Sequence, residues 1–346
     1  MDSRTVYLRG ASYVLGEQEA DYTEIDNLAE LAARFKLAPN AGLWGWGTIR
    51  ITKRELRDLA ADAGAATLRC AAMAPSSVDA VVLCSNRIPG PAEGHGSFVA
   101  QVLAGIGLGD IPCYGVNLNR CVNLLAGLDV ARAFVASGRY RAVLVITTDK
   151  VADGADRMSQ FALFSDGAAS CLVTTDPGVS AAAYELLGCA TAQDTATLEW
   201  TNQISSDLAR EVNDRLLAPR GLKLGDIAAV AHANLYTPLV AMKERQAGFT
   251  ADQLYLGNIP RIGHCFAADP LINLVDRAAL GHLAAGDFGL LAASVPGSRI
   301  GALLRCARGD RDPCSVRGDR DPRSVRGDRD PRSDRDPRRD PGSGEG

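Results

Sequence analysis

The chain has 346 residues, of which 47% are hydrophobic, 23% charged and 5% aromatic, and its formal net charge is −4. This length supports one large domain or two ordinary ones, and the hydrophobic fraction excludes a wholly disordered chain. Nucleic-acid binding needs concentrated Lys and Arg, which a mildly acidic chain does not supply. We therefore expect no nucleic-acid partner.

The cysteines and the apolar segments of the sequence indicate the cellular compartment of the protein. The N-terminal segment lacks the apolar core of a signal peptide, and no window reaches the roughly 18 apolar residues of a membrane span. Nine cysteines are present without any Cys-x-x-Cys pair. Most lie in aliphatic runs such as residues 81–84, which indicates small buried side chains rather than disulfides or zinc ligands. We expect a cytoplasmic protein with no membrane contact and no metal.

Short runs rich in Val, Ile and Leu alternate with longer Ala-rich stretches. This alternation predicts an α/β protein in which helices cover a largely buried sheet. The predicted strands are residues 80–84, 113–117, 142–147, 169–174, 227–232, 288–293 and 300–304, after a short strand-like run at 6–8. The predicted helices are residues 23–35, 52–72, 97–106, 121–137, 201–217, 237–247 and 270–285.

Two changes in composition divide the chain. An Asp-Pro-Gly turn near residue 177 predicts a boundary between an N-terminal half, 1–177, and a C-terminal half, 178–307. Residues 308–346 repeat with a period of nine and contain Arg-Gly-Asp three times. Such a segment cannot bury apolar surface, so we expect a disordered tail. Its Arg-Gly-Asp copies suggest an adhesion ligand, but low complexity is the favoured interpretation and no function is assigned.

Cys121 is the strongest candidate for a reactive group. The predicted strand at 113–117 turns sharply into a helix that is expected to begin at Cys121. Unpaired N–H groups and the helix dipole favour a thiolate at such a position. A nucleophilic cysteine needs this placement, although a structural cysteine is the commoner interpretation of the position.

A cysteine nucleophile needs a proton-transfer partner, and the chain offers four histidines. His232 closes the predicted strand 227–232, where the active sites of open α/β sheets gather. His264 lies in a loop between Gly263 and the helix that starts at 270, and Asp269 follows five residues later. His232 and His264 are therefore the candidate partners.

Several motifs occur in the same order as in a known family. They are Gly47-Thr-Ile-Arg50, Cys121 with the segment up to residue 145, Leu163-Phe-Ser-Asp-Gly-Ala168, His232-Ala-Asn-Leu235 and Gly297-Ser-Arg-Ile-Gly-Ala-Leu-Leu304. Together they resemble the β-ketoacyl-acyl-carrier-protein synthase III (ketosynthase III) family of the thiolase fold over about residues 4–307. The motif at His232 is one residue shorter than the family's His-Gln-Ala-Asn-Leu.

The resemblance implies two pseudo-duplicated α/β halves in an α-β-α-β-α arrangement, usually as a homodimer. The N-terminal half carries the nucleophile and the C-terminal half carries the histidines. An acyl group from an acyl carrier protein or coenzyme A would be captured as a thioester on Cys121. The oxyanion hole would use the N–H of Cys121 and one from the loop at 295–298, and Gly297, Ser298 and Asn234 are assigned to substrate binding.

One departure from the family concerns the catalytic set. The motif alignment puts His264 where the family has a catalytic Asn, with Asn258 as the less favoured alternative. Asp269 is an alternative third member that could orient His232 as a carboxylate orients a triad histidine. A Cys-His-His set can still condense malonyl thioesters with loss of carbon dioxide. A Cys-His pair backed by a carboxylate suits simple acyl transfer to a hydroxyl or amine, which we favour.

A second departure concerns the acyl donor. Trp46, which is also assigned to substrate binding, stands where the family usually has an Arg that holds the adenine of coenzyme A, so an acyl carrier protein is the favoured donor. Lys243 and Arg245 could contact that acidic carrier, or could simply form a solvated helix face. No cofactor is expected beyond the phosphopantetheine or coenzyme A thioester substrate, and a small-molecule acceptor in natural-product biosynthesis is expected. A catalytically silent partner subunit is less favoured, because such subunits have generally lost the nucleophile.

Overall fold

The computed structural model describes residues 4–178, 182–199 and 205–308. The predicted tail lies outside these residues except for Arg308, whose backbone ends the last strand. Cys314 and the complete Arg-Gly-Asp copies are outside them as well. Within the described ranges, no helix has both the length and the apolar character needed to cross a bilayer.

Strands and helices alternate along most of the described chain. The strands are β1 (Tyr7–Leu15), β2 (Gln18–Asp21), β3 (Thr48–Ile51), β4 (Ala80–Cys84), β5 (Cys113–Val116), β6 (Ala142–Asp149), β7 (Gly167–Thr174), β8 (Ala183–Gln193), β9 (Ile227–His232), β10 (Phe288–Val295) and β11 (Ser298–Arg308). The α-helices are α1 (Leu28–Arg34), α2 (Ala41–Trp44), α3 (Leu56–Cys70), α4 (His95–Ile106), α5 (Asn123–Ala136), α6 (Ser206–Leu217), α7 (Thr237–Gln246), α8 (Asn258–Ile262) and α9 (Asp269–Ala279).

Nine strands are hydrogen-bonded in the order β5-β4-β6-β7-β1-β8-β11-β10-β9. On one side of the β1–β8 contact, β4 is parallel to β6, β6 is antiparallel to β7, and β7 is antiparallel to β1. On the other side, β9, β10, β11 and β8 repeat these three pairings in the same order. The strand pairing is therefore duplicated, while a boundary at residue 177 stays a prediction.

Strand β6 is buried on both faces. Val143 and Val145 pack with α5 in one cluster, whereas Leu144 and Ile146 pack with α3 and α4 in another. Successive side chains of a strand point to opposite faces, so a strand with helices on both sides needs apolar residues at every position. This is why the sequence of β6 begins as a continuous aliphatic run.

Strand β10 repeats this arrangement in the second half of the sheet. Ala293 belongs to the central cluster that also contains α5 and α9, whereas Ala292 packs in a cluster with α6. Helices α5 and α9 thus lie between the two parts of the sheet, with α3 and α4 outside one part and α6 outside the other. This α-β-α-β-α layering confirms the predicted fold class.

The structure differs from the predicted elements at several points. Strands β2 and β3 and helices α2 and α8 were not predicted, and the helix predicted at 270–285 ends at Ala279. The helix predicted at 23–35 is a capped 3-10 turn at Tyr22–Glu24 followed by α1, which starts only after Asn27 adopts a positive φ of 56°. Residues 120–122 form a 3-10 turn, so α5 begins two residues after Cys121. Strand β8 was not predicted, because Gly188 and small polar residues break its apolar pattern.

The close contact between α5 and the sheet can be tested at Gly127. A Cβ atom at Gly127 would lie 2.5 Å from Sγ of Cys84 and 3.1 Å from Cγ1 of Val82. We expect Gly127→Val to lower the free energy of unfolding by about 1–3 kcal/mol, the usual cost of overpacking a core. Gly115→Val is the matched control, since no neighbouring atom lies within 4 Å of a Cβ there. Urea unfolding measures the free energy of unfolding of both variants. Equal free energies for the two variants would contradict the close contact between α5 and the sheet.

Candidate active site

Cys121 lies in the 3-10 turn that connects β5 to α5. The preceding residue, Arg120, has a φ of 55°, a left-handed conformation that is uncommon for a residue with a side chain. Such strained positions persist where the surrounding structure holds them, and they concentrate at functional sites. Cys121 is 8% exposed and lines a cavity. The turn therefore presents the thiol to a solvent-connected space at the edge of the core.

The side chain of Arg120 holds this turn against the C-terminal half. Its Nη2 donates to the carbonyl oxygens of Pro296, at 2.7 Å, and of Leu198, at 3.2 Å. Pro296 belongs to the tight turn between β10 and β11. A single guanidinium thus connects the nucleophile turn to that hairpin, a role that was not predicted although Arg120 directly precedes Cys121.

His264 is fixed by a short backbone bridge to residues 163–165. Its N–H donates to the carbonyl of Leu163 at 2.8 Å, and its carbonyl accepts the N–H of Ser165 at 2.9 Å. The His264 ring is fully buried and packs against Phe164, with 5.1 Å between ring centroids. The Leu163–Ala168 motif therefore supplies the frame that positions His264.

Asp269 at the start of α9 is the hydrogen-bond partner of His264. Its Oδ2 accepts the Nδ1–H of His264 and, at 2.6 Å, the N–H of Asn234. Its Oδ1 accepts the N–H of Cys265 at 2.7 Å. These bonds satisfy a carboxylate that is fully buried. Because Nδ1 is occupied, Nε2 is the ring nitrogen of His264 that remains for Cys121.

The charge of Asp269 controls the protonation of His264. Burial alone would lower the pKa of His264, but the negative charge of Asp269 and the neighbouring Cys121 raise this pKa to about 10. The raised pKa favours the protonated, cationic form of His264 at neutral pH. A cation beside a cysteine favours the thiolate form, which is the nucleophile.

The structure does not bring His232 to Cys121, which corrects the predicted pair. Ala231 packs in the central cluster together with Cys121, whereas Val230 packs in the cluster on the outer face of the sheet. His232 follows Ala231 in β9 and so points to the outer face. The His232 motif is one residue shorter than in the family, and a shift of one residue moves a strand side chain to the opposite face.

His232 instead adjoins a buried charged cluster. Both Nη atoms of Arg299 donate to the carboxylate of Glu244, at 2.8 and 3.1 Å, and Nζ of Lys243 lies 3.1 Å from it. Burial lowers the pKa of His232, whose Nδ1–H donates to the carbonyl of Ala233 at 2.8 Å. Lys243 is 4% exposed, so it is not the exposed carrier-protein contact considered above.

The two candidate asparagines support the site without facing the cavity. Asn234 donates from Nδ2 to the carbonyl of Gly263 at 3.0 Å, and its Oδ1 accepts from Asn273 at 2.9 Å. With its backbone bond to Asp269, Asn234 is a support for that carboxylate rather than a substrate contact. Asn258 donates to Oδ1 of Asn273 at 2.8 Å, and it does not take the place of His264.

Trp46 is a packing residue rather than part of the cavity wall. It is 7% exposed, and its ring centroid lies 5.7 Å from that of Tyr22 and 6.2 Å from that of Tyr236. Large aromatic side chains stabilise small satellite cores of this kind through their buried area. The predicted role of Trp46 in substrate binding therefore has no support in the structure.

Gly297 and Ser298 shape the loop next to the cavity without lining it. Gly297 has a φ of 70°, and a Cβ atom there would lie 2.6 Å from the backbone nitrogen of Leu198. Only glycine fits this close approach in the turn between β10 and β11. The cavity contacts come from the preceding residues 294–296. Pro296 has no N–H, so it offers no oxyanion donor.

The cavity that contains Cys121 and His264 has a volume of about 670 Å³. Its wall combines seven apolar side chains with seven that carry a hydroxyl, carboxylate or amide group, beside Cys121, Lys243 and His264. The lining residues are Phe35, Cys121, Gln160, Phe161, Asp194, Thr197, Ser205, Ser206, Asp207, Leu235, Leu239, Met242, Lys243, His264, Ser294, Val295 and Pro296. A space of this size, lined by apolar and polar side chains in equal number, suits a small molecule with an apolar body and a few polar groups.

The different placements of His264 and His232 predict different effects on the thiol. Losing the cation beside Cys121 should lower the rate at which iodoacetamide alkylates Cys121 at pH 7 by about tenfold, because the thiolate is the form that reacts. We expect this for His264→Gln. His232→Gln should leave the rate unchanged, since that ring is on the other face of β9. Mass spectrometry of the Cys121 peptide measures the alkylation rate in both variants. A slower rate only in His232→Gln would contradict the assignment of His264 as the partner of Cys121.

Part of the chain is similar in sequence to known proteins. Residues 117–192 match the model of the 3-oxoacyl-[acyl-carrier-protein] synthase III family. A β-ketoacyl-[acyl-carrier-protein] synthase III of Fusobacterium nucleatum is 33% identical over 119 residues, which are 34% of this chain and 35% of the relative. The synthase III of Chlamydia trachomatis is 32% identical over 117 residues, which are 33% of this chain and 35% of that relative. The chain thus spans about a third of the length of the curated relatives it matches.

Solved structures match over most of the chain. ChlB3, which is named as an acyltransferase, superposes with a TM-score of 0.76 at 17% identity and covers 88% of this chain and 99% of its own. The 3-oxoacyl-[acyl-carrier-protein] synthase III of Aquifex aeolicus superposes with a TM-score of 0.70 at 20% identity. The match covers 87% of this chain and 99% of the Aquifex protein. At such identities the likeness shows the fold. Together with the family match over residues 117–192, it confirms the resemblance seen in the motifs: this chain has the thiolase fold and is similar to the 3-oxoacyl-[acyl-carrier-protein] synthase III family.

Proposed function

We propose that this protein is an acyltransferase that captures an acyl group on Cys121 and passes it to a hydroxyl or amine of a small molecule. The observation that carries the proposal is the hydrogen bond from Nδ1 of His264 to the buried carboxylate of Asp269, beside Cys121. A nucleophile, a base and an orienting carboxylate form the arrangement that acyl transfer needs.

The first step loads the enzyme. The thiolate of Cys121 attacks the carbonyl carbon of the donor thioester, and a new carbon–sulfur bond forms. The carbon–sulfur bond of the donor breaks, and its electron pair leaves on the pantetheine sulfur. That sulfur takes the Nε2 proton of His264, which leaves a neutral imidazole next to the acylated cysteine.

The second step transfers the acyl group. Neutral His264, held by Asp269, accepts the proton of the acceptor hydroxyl or amine as that atom attacks the acyl carbon. The bond from the acyl carbon to Sγ of Cys121 breaks, and its electron pair returns to the sulfur. The thiolate and the protonated imidazole are restored, so protons and charges balance over the cycle.

The positions of the other polar residues disfavour decarboxylative condensation. That reaction needs two donors on the carbonyl of the malonyl thioester, and in the family these come from a His and an Asn. Here His264, which the motif alignment puts at the position of that Asn, supplies one donor. His232 lies on the other face of β9, and Asn234 supports Asp269. Asn258 is bonded to Asn273. None of these three residues lines the cavity beside His264.

The cavity and the relatives support the proposed acceptor and donor. The hydroxyl, carboxylate and amide side chains in the wall could hold the polar groups of an acceptor while the apolar side chains hold its body, and the fold is shared with ChlB3, which is named as an acyltransferase. The curated relatives are named as β-ketoacyl-[acyl-carrier-protein] synthases III, which supports a carrier-protein thioester as the donor.

We propose that the protein is a homodimer. Strand β5 is at the end of the sheet, so one of its edges is unpaired within the described chain. Leu118 follows β5 directly and is 90% exposed. An unpaired strand edge beside an exposed aliphatic side chain is a suitable surface for a second copy of the chain.

Intact-mass spectrometry tests the reaction. The protein is incubated with acyl carrier protein thioesters and then with malonyl carrier protein or with a panel of amines and alcohols. We expect Cys121 to gain the acyl mass and malonyl carrier protein to stay unchanged, while the acyl group passes to an acceptor. Asp269→Asn should slow this transfer by about 10²–10⁴-fold, the usual contribution of acid–base catalysis.

Three outcomes contradict the proposal. If malonyl carrier protein loses carbon dioxide and gains the acyl group, the protein is a condensing enzyme. If the acyl mass still appears in Cys121→Ala, another residue is the nucleophile. Absence of loading from every donor, with a normally folded protein, would favour the catalytically silent partner subunit.

A further inference from the structure

We propose that Asn86 is a further catalytic residue, whose side-chain amide donates a hydrogen bond to Sγ of Cys121 and stabilises negative charge on that sulfur. Asn86 follows β4 in a loop and is half-buried. Its Nδ2 lies 3.9 Å from Sγ of Cys121, a distance compatible with a hydrogen bond to a large sulfur atom. This contact was not predicted, because 34 residues lie between Asn86 and Cys121 along the chain.

The orientation of the Asn86 amide is fixed by its neighbour Asn123. Nδ2 of Asn123 donates to the carbonyl of Ser85 at 3.2 Å and to Oδ1 of Asn86 at 3.1 Å. Oδ1 of Asn123 accepts the backbone N–H of Asn119 at 2.8 Å. A flip of Asn123 would set oxygen against oxygen and nitrogen against N–H. Its orientation is therefore decided by backbone groups, and this turns Oδ1 of Asn86 away from the sulfur and Nδ2 toward it.

The backbone of Asn86 is also held in place. Its N–H donates to Oδ1 of the fully buried Asp149 at 2.6 Å, and the hydroxyl of Ser85 donates to the same oxygen at 3.3 Å. Asp149 closes β6, a strand with every residue buried. The donor at Cys121 therefore sits on a rigid support and needs no reorganisation when charge develops, which is the property that makes such donors effective.

The Asn86 amide acts in both steps of the reaction at Sγ of Cys121, the loading of the acyl group and its transfer. It stabilises the thiolate before attack, and it stabilises the same charge when the bond from the acyl carbon to Sγ breaks and the electron pair returns. Hydrogen bonds to a charged group are stronger than those between neutral groups. The role applies to any reaction in which Cys121 is the nucleophile, and so its test is independent of the proposed acceptor.

The test is the pH profile of Cys121 alkylation by iodoacetamide, followed on the Cys121 peptide by mass spectrometry. We expect Asn86→Ala to lower the rate at pH 7 by about tenfold, in the range of one hydrogen bond to a charged group, with little change where the thiol is fully ionised. Asn86→Asp has the same shape but places an anionic acceptor against the sulfur, and it should lower the rate further. His264 and Arg120 also face Cys121 and remain intact in both variants.

The controls separate a role at sulfur from a disturbed loop. Arg87→Ala removes an exposed side chain from the same loop and should leave the profile unchanged, and Cys70 serves as an internal reference in every sample. Asn123→Asp should force the Asn86 amide to turn over and should reproduce the slower rate. Profiles of Asn86→Ala and Asn86→Asp that match the wild type would overturn the proposal. A loss that is equal at all pH values would also overturn it, because that result indicates altered access.

Discussion

The site depends on one buried carboxylate. Asp269 is fully buried, and a charged group in such a place must be surrounded by donors. It receives them from His264, from the backbone of Cys265 and from Asn234. These bonds orient the imidazole, keep it charged and direct its second nitrogen toward Cys121. Removing the carboxylate would change both the position and the charge of the base.

The fold brings these groups together from distant parts of the chain. Cys121 comes from the turn before the central helix α5, and Asp269 begins the other central helix, α9. His264 is held by the backbone of residues 163–165, which belong to the N-terminal half. The guanidinium of Arg120 then joins the nucleophile turn to the β10–β11 hairpin. The active site is thus built where the central helix layer meets both parts of the sheet.

The sequence predicted the buried strands well and the site only in part. Strands such as β4 and β9 have the predicted bounds, because helices on both faces impose continuous apolar runs. Cys121, His264 and Asp269 were all named, since a reactive cysteine and a local His–Asp pair leave a pattern along the chain. The partner of Asp269 was assigned to His232, and this error follows from a one-residue shift in a strand. Asn86 was missed, because contacts across layers leave no pattern in the sequence.

The central claim is that Cys121, His264 and Asp269 act as one unit, and a double-mutant cycle tests it most directly. The rate of acyl loading on Cys121 is measured for His264→Ala, for Asp269→Asn and for the double variant. If Asp269 acts through His264, the double variant should load about as slowly as His264→Ala alone, since members of one unit are not additive. If the two losses multiply, Asp269 acts independently of His264 and the account is contradicted.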